Sequence, residues 1–285
     1  MGREVPVSGF TIIRSAPGYA YPIGESLSSL MPLVEEVVVV AQRNDPALAV
    51  VRGLADERIT VVESDWDDGP DLGGRTLARE TNRALARCRC RWALYLQADE
   101  VLHEADYDAI RTALARHDAS ERVDALTFRF LHFEGSYGYV NPLRYRRQCR
   151  LVRNDGRLQS VRDAAGFGRL DGHRLRTRRS GARVFHYGWA AAPAELKAKT
   201  LALARLYHDE EYVSRRWAPV PADAIGSVEL AFRWSGRHPA VMRERVARQD
   251  WQVSSARRPR FGTPLASVRF YAAWLRKWGL LRRRR

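Results

Sequence analysis

The chain has 285 residues, enough for one large domain or for a domain with an appendage. Its longest aliphatic stretch, residues 37–41, falls far short of the roughly 20 apolar residues that cross a bilayer, and no signal-peptide pattern follows Met1. Three cysteines without zinc-site spacing fit a reducing compartment. We therefore expect a globular, cytoplasmic protein with free thiols.

The net charge of +15 is concentrated in two segments. Residues 141–183 hold 13 arginines against three aspartates, and the residues after Asp250 hold ten basic residues and no acid. The rest of the chain is therefore net acidic. Charge placed so unevenly indicates a local anionic partner, such as a phosphate-bearing substrate or an anionic surface.

The first third of the sequence alternates apolar runs with helical patterns, as expected for βαβ units and a parallel sheet. Helices are predicted where apolar residues recur every three or four positions, at 22–30, 47–54 and 75–88. Strands are predicted at 7–13, 34–40, 58–62 and 92–97. The continuous apolar character of 34–40 is typical of a strand covered on both faces.

Beyond residue 100 the sequence predicts a helix at 107–116 and a strand at 125–133, with Phe128, Phe130 and His132 on one face. Short strands are expected at 148–153 and 183–187, and helices from residue 193 onward. A change of pattern near residue 190 divides the chain into an α/β domain, 1–190, and a helical extension, 191–285.

The fourth strand stops abruptly on two adjacent carboxylates, Asp99 and Glu100. Ligands of open α/β sheets bind beyond the carboxyl ends of the strands, so acids there describe the edge of an active site. Carboxylate oxygens suit Mg²⁺ or Mn²⁺ on a phosphate-bearing substrate. The alternative is structural, since Glu100, Glu104 and Asp106 would also favour the N-terminus of a following helix.

Several short blocks follow one another along the chain: the strand Phe10-Thr-Ile-Ile-Arg14, the loop Trp66-Asp-Asp68, the helix start Gly73-Gly-Arg75 and the strand end Leu96-Gln-Ala-Asp-Glu100. In this order they resemble bacterial family 2 glycosyltransferases of the GT-A fold. The similarity continues through the segments 131–137, 162–167 and 186–189, and so covers roughly residues 7–190 and, less distinctly, 238–252.

This resemblance implies a Rossmann-like GT-A fold, with a mixed, mostly parallel sheet flanked by helices and followed by the helical extension. It further implies inverting sugar transfer from a nucleotide-diphospho-sugar donor to an acceptor hydroxyl. An envelope polysaccharide, a lipid-linked glycan or a small molecule would each fit as the acceptor, and we expect a glycan or lipid-linked acceptor in envelope glycan synthesis. The cofactor would be Mn²⁺ or Mg²⁺. By resemblance Asp99 is the metal-binding acid, Gln97 stands where the family has a second acid, and Asp45 matches the nucleotide-contacting segment. A late histidine often completes the metal site, which makes His186 a candidate ligand, although a buried structural role is equally compatible.

Other residues are predicted to contact the donor. Arg75 lies in the first turn of its helix, where the dipole disfavours a cation, so it is easier to explain if it meets phosphate or Asp67 and Asp68. Asn82 follows two helical turns later and could share that face. With Arg14, Asp45, Gln97 and Asp99, these residues form the predicted donor site.

A general base must accept the proton of the acceptor hydroxyl. Asp163 is our candidate, because it lies between apolar and glycine residues, well after the strand that ends on Asp99. The alternative is that it caps a turn. Glu134, in a loop beside Gly135, is the competing base.

The C-terminal segment carries an apolar stripe with tryptophan from residue 265 to 281, bordered by arginines. Such a helix could lie on an anionic membrane and reach a lipid-linked acceptor, or pack on the domain.

Two other functions fit part of the pattern. A nucleic-acid-binding protein would explain the basicity, but helix-turn-helix, zinc-finger and RNP patterns are absent from the sequence, and we expect no nucleic-acid partner. A nucleotidyltransferase normally has a glycine-rich loop after strand one, and this chain has Arg14-Ser-Ala-Pro17 there.

Overall fold

The computed structural model describes residues 5–15, 19–66, 74–225, 228 and 231–253. Its strands are β1 Val7–Ile13, β2 Glu36–Gln42, β3 Ile59–Ser64, β4 Trp92–Tyr95, β5 Glu100–Leu102, β6 Ala125–Glu134, β7 Tyr139–Val140, β8 Arg147–Arg153, β9 Leu158–Val161, β10 Gly166–Arg169, β11 Thr177–Trp189 and β12 Phe232–Arg233. Its α-helices are α1 Ile23–Leu30, α2 Leu48–Gly53, α3 Arg75–Leu85, α4 Tyr107–His117, α5 Pro193–Ala204, α6 Glu210–Arg216, α7 Ala222–Ile225 and α8 Arg243–Ala247.

Four parallel strands form the N-terminal half of the main sheet. β1 pairs with β2 on one side and with β4 on the other, and β3 pairs with β2. The central valines of β2 are buried, as its continuous apolar sequence predicts. The carboxyl ends of these strands therefore meet at one edge of the sheet.

The second half of the sheet is mixed. β8 runs antiparallel between β4 and β6, while the long β11 pairs parallel with β6 and antiparallel with β5. Most paired residues of the sheet lie in parallel ladders, and helices flank it, so the predicted mixed, mostly parallel α/β fold is confirmed. β11 is much longer than the predicted strand 183–187.

Helices cover both faces of the sheet. α1, α2 and α4 belong to the larger apolar core, which contains Leu27, Val51 and Ile110. α3 contributes Leu85 to a second core that also contains Phe10 and Tyr95. Phe128 and Phe130 belong to the larger core, and the ring of the buried His132 stacks on that of Phe130 at 5.5 Å between centroids.

The predicted extension begins with α5 and continues through shorter helices as far as Ala247. The amphipathic stripe at 265–281 lies outside the described residues, and the division at residue 190 stays a prediction. Among the described helices, none combines the length and the apolarity needed to cross a membrane.

A third, aromatic core surrounds His238. The imidazole packs against Phe133, Tyr137 and Trp234, and its Nδ1 is 2.8 Å from the hydroxyl of Tyr187. Burial lowers the pKa of His238 from 6.5 to about 4. The residue is therefore neutral in the folded protein at neutral pH.

We expect His238 to make folding acid-sensitive. Its pKa is about 4 in the folded chain and 6.5 in the unfolded chain, so only the unfolded chain gains the proton in this interval. The stabilisation is complete above pH 6.5 and is lost as the pH falls toward about 4. Denaturant unfolding at several pH values should show a shallower acid loss in His238→Gln than in the wild type. Equal slopes in the two proteins would contradict this assignment.

Candidate functional site

A cavity of about 570 Å³ opens where the carboxyl ends of the parallel strands meet α5. Its position is the one that open α/β sheets use for ligands. Its lining includes residues that follow β1, β3 and β4 and residues of α5 and the turn behind it. Among the lining residues are Arg14, Tyr19, Tyr21, Trp66, Gln97, Asp99, Asp163, Trp189, Lys199 and Tyr207.

A tight turn after β4 presents Asp99 to this cavity. The Glu100 amide donates to the carbonyl of Gln97 at 2.9 Å, and the Gln97 amide donates to the Glu100 carboxylate at 3.2 Å. The Asp99 side chain is buried, and within the described chain its Oδ1 has no hydrogen-bond partner. Burial raises the pKa of Asp99, while the nearby Lys199 opposes this shift.

Glu100 is held in a buried ion pair. Arg150, on β8, donates from Nε and Nη2 to the two carboxylate oxygens of Glu100, each at 2.6 Å. Both side chains are completely buried. Burial disfavours the charge of Arg150, but Glu100 outweighs it and holds the pKa of Arg150 above its ordinary value.

Two buried histidines lie beside Asp99. Nε2 of His132 is 2.8 Å from the carbonyl oxygen of Tyr145, and its Nδ1 is 3.2 Å from Nδ1 of His186. Burial lowers the pKa of both imidazoles, that of His132 to about 2, so each ring is neutral. Because a carbonyl only accepts, His132 carries its proton on Nε2, and His186 must donate from Nδ1.

This arrangement leaves Nε2 of His186 with a bare lone pair. The atom is 3.5 Å from Oδ2 of Asp99. A lone pair and a carboxylate oxygen that face each other repel unless a cation or a shared proton lies between them. The pair β11–β5 enforces the approach, because His186 is in register with Glu100.

Gly188 makes room for the same carboxylate. A Cβ at this position would overlap Oδ2 of Asp99 and would contact His186. Glycine at this position therefore lets β11 pass this close to the carboxylate of Asp99.

Lys199, on α5, brings a buried ammonium to the cavity. Its Nζ is 3.8 Å from Oδ2 of Asp99, and the residue is 3% exposed. Nζ donates to the carbonyl of Gly188 and lies 4.4 Å from the ring centroid of Tyr21 and 4.9 Å from that of Trp189. Burial lowers the pKa of Lys199 to about 8, opposed by Asp99.

Comparisons with protein-family models and with curated proteins gave no match. Among solved structures, the chain is similar to the crystal structures of S. aureus TarS 1-349, one of them in complex with UDP-GlcNAc. Each is 15% identical and covers 74% of this chain; the matches span 69% and 70% of the TarS chains, with TM-scores of 0.41 and 0.42. A likeness at this level identifies neither the substrate nor the chemistry, so the site itself has to indicate the function.

Asp99, Glu100 and His186 offer ligand atoms within 4.8 Å of one another and could hold a metal ion. Asp99 fits this role, since its Oδ1 is unpartnered, and His186 fits it through the lone pair on Nε2. Glu100 does not fit, because Arg150 holds both of its oxygens. The remaining set is one carboxylate and one imidazole, which suits a cation that takes its other ligands from a phosphate-bearing substrate and water.

Asp163 also lines the cavity, in a turn between β9 and β10. Its neighbours Arg162 and Ala164 both have left-handed backbones, with φ of 59° and 60°. Such conformations are costly for residues other than glycine and often occur at functional sites. The turn is held to the segment after β4, because Nε2 of Gln97 donates to the carbonyl of Ala164 at 3.3 Å.

Two further contacts fix the Asp163 side chain. The hydroxyl of Tyr207 donates to Oδ2 of Asp163 at 3.0 Å. Gly74, with φ of 74°, packs so closely that a Cβ there would be 2.9 Å from Cβ of Asp163. The Gly-Arg start of α3 therefore contributes its glycine to the site, whereas Arg75 is exposed and lies outside the cavity lining.

Glu134, the competing base, also lies outside this lining. Arg144 donates to one of its carboxylate oxygens at 2.8 Å, and Asn141 donates to the other. Both oxygens are thus engaged in structural contacts.

Of the predicted donor-binding residues, Arg14, Gln97 and Asp99 line the cavity, and Asp67 lies outside the described residues. Asp45 accepts hydrogen bonds from the amide and hydroxyl of Ser15. Asn82 exchanges two hydrogen bonds with the backbone of Ser160. In the described part of the chain, Asp45 and Asn82 therefore position loops and do not line the cavity.

Sequence reasoning missed Lys199, His132 and Arg150 as parts of the site. Lys199 had a signal, because it follows Leu196 by three positions and precedes Leu203 by four, which places a lysine on an apolar helical stripe. Arg150 was one of many arginines in a basic segment, and its burial depends on β8 lying between β4 and β6.

The buried pair makes a stability prediction. Arg150→Met should destabilise the fold by about 3–5 kcal/mol, because it leaves the carboxylate of Glu100 buried without a partner. Glu100→Gln combined with Arg150→Met should recover much of this loss. Chemical denaturation measures both, with Arg248→Met as the control, since Arg248 and Glu244 form an exposed pair. If Arg150→Met alone were as stable as the wild type, the result would contradict this role of the pair.

Proposed function

We propose that the chain is a glycosyltransferase that moves a sugar from a nucleotide-diphosphate donor to an acceptor hydroxyl, with inversion and with a bound Mn²⁺ or Mg²⁺. The observation that carries this proposal is the unpartnered Oδ1 of Asp99 together with the unprotonated Nε2 of His186, which lies 3.5 Å from Oδ2 of the same carboxylate. Asp99 lines the strand-end cavity, and the buried His186 lies beside it. The resemblance of the Leu96–Glu100 segment to family 2 glycosyltransferases supports the same assignment.

Asp99 and His186 would hold the cation, which supplies Lewis-acid stabilisation of the leaving diphosphate when it is bound. The neutral state of His186 matters here, because a protonated imidazole has no lone pair for a metal. His132 would keep the correct tautomer through its hydrogen bond to Nδ1, a supporting role that partners of metal-binding histidines commonly have.

Other lining residues would bind the donor. Arg14 would place a guanidinium near the phosphates, and Trp189 offers an aromatic surface for the sugar or the base. Gln97 would hold the turn of Asp163 against the donor side through its bond to Ala164.

Asp163 would act as the general base. The acceptor oxygen attacks the anomeric carbon and forms the new glycosidic bond, while its proton passes to the carboxylate of Asp163. The bond from the anomeric carbon to the phosphate oxygen breaks, and its electron pair leaves with the nucleoside diphosphate. The position of Asp163 in the cavity, and the engagement of Glu134 outside it, favour Asp163 over Glu134.

The acceptor is proposed as a glycan or a lipid-linked glycan of the cell envelope, and the protein as cytoplasmic with peripheral membrane contact. These parts of the proposal rest on the resemblance and on the basic tail, whose residues 265–281 lie outside the described chain.

The donor site predicts a metal-dependent response to one nucleotide. Thermal unfolding should be measured with UDP, GDP, CDP and ADP, each with and without Mn²⁺. One of them should stabilise the wild type, by about 2.7 kcal/mol at a hundredfold excess over its Kd. Asp99→Asn should lose the part of this stabilisation that depends on Mn²⁺.

Asp108→Asn is a matched control, because its side chain is 98% exposed on α4. It should respond to nucleotide as the wild type does. A lack of response to every nucleoside diphosphate, together with stabilisation by RNA or DNA, would reject the transferase in favour of a nucleic-acid-binding protein.

Replacement of the base should separate turnover from binding. Asp163→Asn should lower kcat by about 10²–10⁴-fold while the Kd for the nucleotide stays near the wild-type value. Glu134→Gln should affect turnover far less. Steady-state sugar transfer and nucleotide titration provide the two measurements; full turnover in Asp163→Asn would remove this residue from the base role.

A further inference from the structure

The ammonium of Lys199 is only partly satisfied by the protein. An ammonium has three donors, and in the described part of the chain Lys199 has one hydrogen-bond acceptor, the carbonyl of Gly188. Its distance of 3.8 Å from Oδ2 of Asp99 exceeds that of a hydrogen bond. A buried cation with unfilled donors is costly unless a ligand completes its shell.

The surroundings of Lys199 direct these donors to the cavity. The residue lines the cavity beside Asp99, and the rings of Tyr21 and Trp189 lie within 5 Å of Nζ. The aromatic faces stabilise a cation without supplying acceptor oxygens. A ligand that brings anionic oxygens into this cavity would therefore meet the ammonium beside Asp99.

We propose that Lys199 is a binding residue for the diphosphate of the donor, acting beside the cation site of Asp99 and His186. This inference rests on the proposed function and names a further residue of the same site. A diphosphate is the chemistry that fits, because its several anionic oxygens can contact a metal ion and an ammonium at once. Lys199 adds a fixed positive charge that remains when the metal is removed.

The protein itself offers a close control for this role. Lys197 lies two positions earlier on α5, and its Nζ donates to the carbonyl of Ala218 in an exposed contact. It is absent from the described cavity lining. Lys197→Met removes the same charge from the same helix without touching the proposed site.

The test is titration calorimetry of the full chain with inorganic pyrophosphate and with UDP, GDP, CDP and ADP, in EDTA and in Mn²⁺. The variants are Lys199→Met, Lys199→Gln and Lys197→Met. Lys199→Gln keeps a donor for Gly188 but loses the charge, so the diphosphate effect can be read even if Lys199→Met folds poorly. Ligand-free unfolding of each variant gives the fraction folded.

In EDTA we expect both Lys199 variants to bind pyrophosphate and the preferred nucleoside diphosphate about 10- to 100-fold more weakly than the wild type. Lys197→Met should match the wild type. The uncharged nucleoside of the preferred nucleotide, titrated as a further probe, should bind all proteins equally, since Lys199 would contact only the diphosphate.

Folded Lys199→Gln that binds these probes as tightly as the wild type, in EDTA and in Mn²⁺, would overturn the role of Lys199 and leave the proposed function standing. A wild type that binds neither pyrophosphate nor any nucleoside diphosphate, under either condition, would reject the proposed function and this inference with it.

Discussion

The buried ion pair of Glu100 and Arg150 determines what the strand end can do. Arg150 lies on β8, next to β4 in the sheet, and its guanidinium holds both oxygens of Glu100. The same carboxylate accepts the Gln97 amide and so closes the turn that carries Asp99. A buried pair is expensive to desolvate, but once formed it fixes geometry with strong, directional bonds. Of two adjacent acids, one is thus structural, and the other is left for ligands.

Burial also determines the protonation states of the side chains around Asp99. The two imidazoles are neutral, and the carbonyl of Tyr145 determines which nitrogen of each carries the proton. Neutral His186 can coordinate a cation, whereas a protonated ring would compete with it. The ammonium of Lys199 approaches the carboxylate from α5, across the aromatic side chains. Oδ2 of Asp99 therefore lies close to both the neutral Nε2 of His186, at 3.5 Å, and the ammonium of Lys199, at 3.8 Å.

The fold could be predicted further from sequence than the site could. Strands β1 to β4 follow from their apolar runs, and Asp99 was expected at a sheet edge because parallel strands share their carboxyl ends. The local sequence pattern does not predict which groups a polar side chain will hydrogen-bond. Asn82 serves the backbone of Ser160, while Asp163 reaches the cavity. The partner of Glu100 was equally hidden, since it depends on the order of strands that lie far apart in the chain.

The turn of Asp163 adds a constraint that neither charge nor core packing explains. Arg162 and Ala164, on either side of Asp163, both have left-handed backbones, so other contacts must hold this turn in place. Gln97, in the segment after β4, donates a hydrogen bond to Ala164 of this turn, and Tyr207, in the segment after α5, donates one to Asp163. The close approach of Gly74 blocks relaxation toward α3. β9 and β10 form an antiparallel hairpin, and positive φ values are common in hairpin turns, so the backbone angles alone do not mark this turn as functional. Its contacts with Gln97, Tyr207 and Gly74 do distinguish it, because together they fix the carboxylate of Asp163 in one position at the cavity.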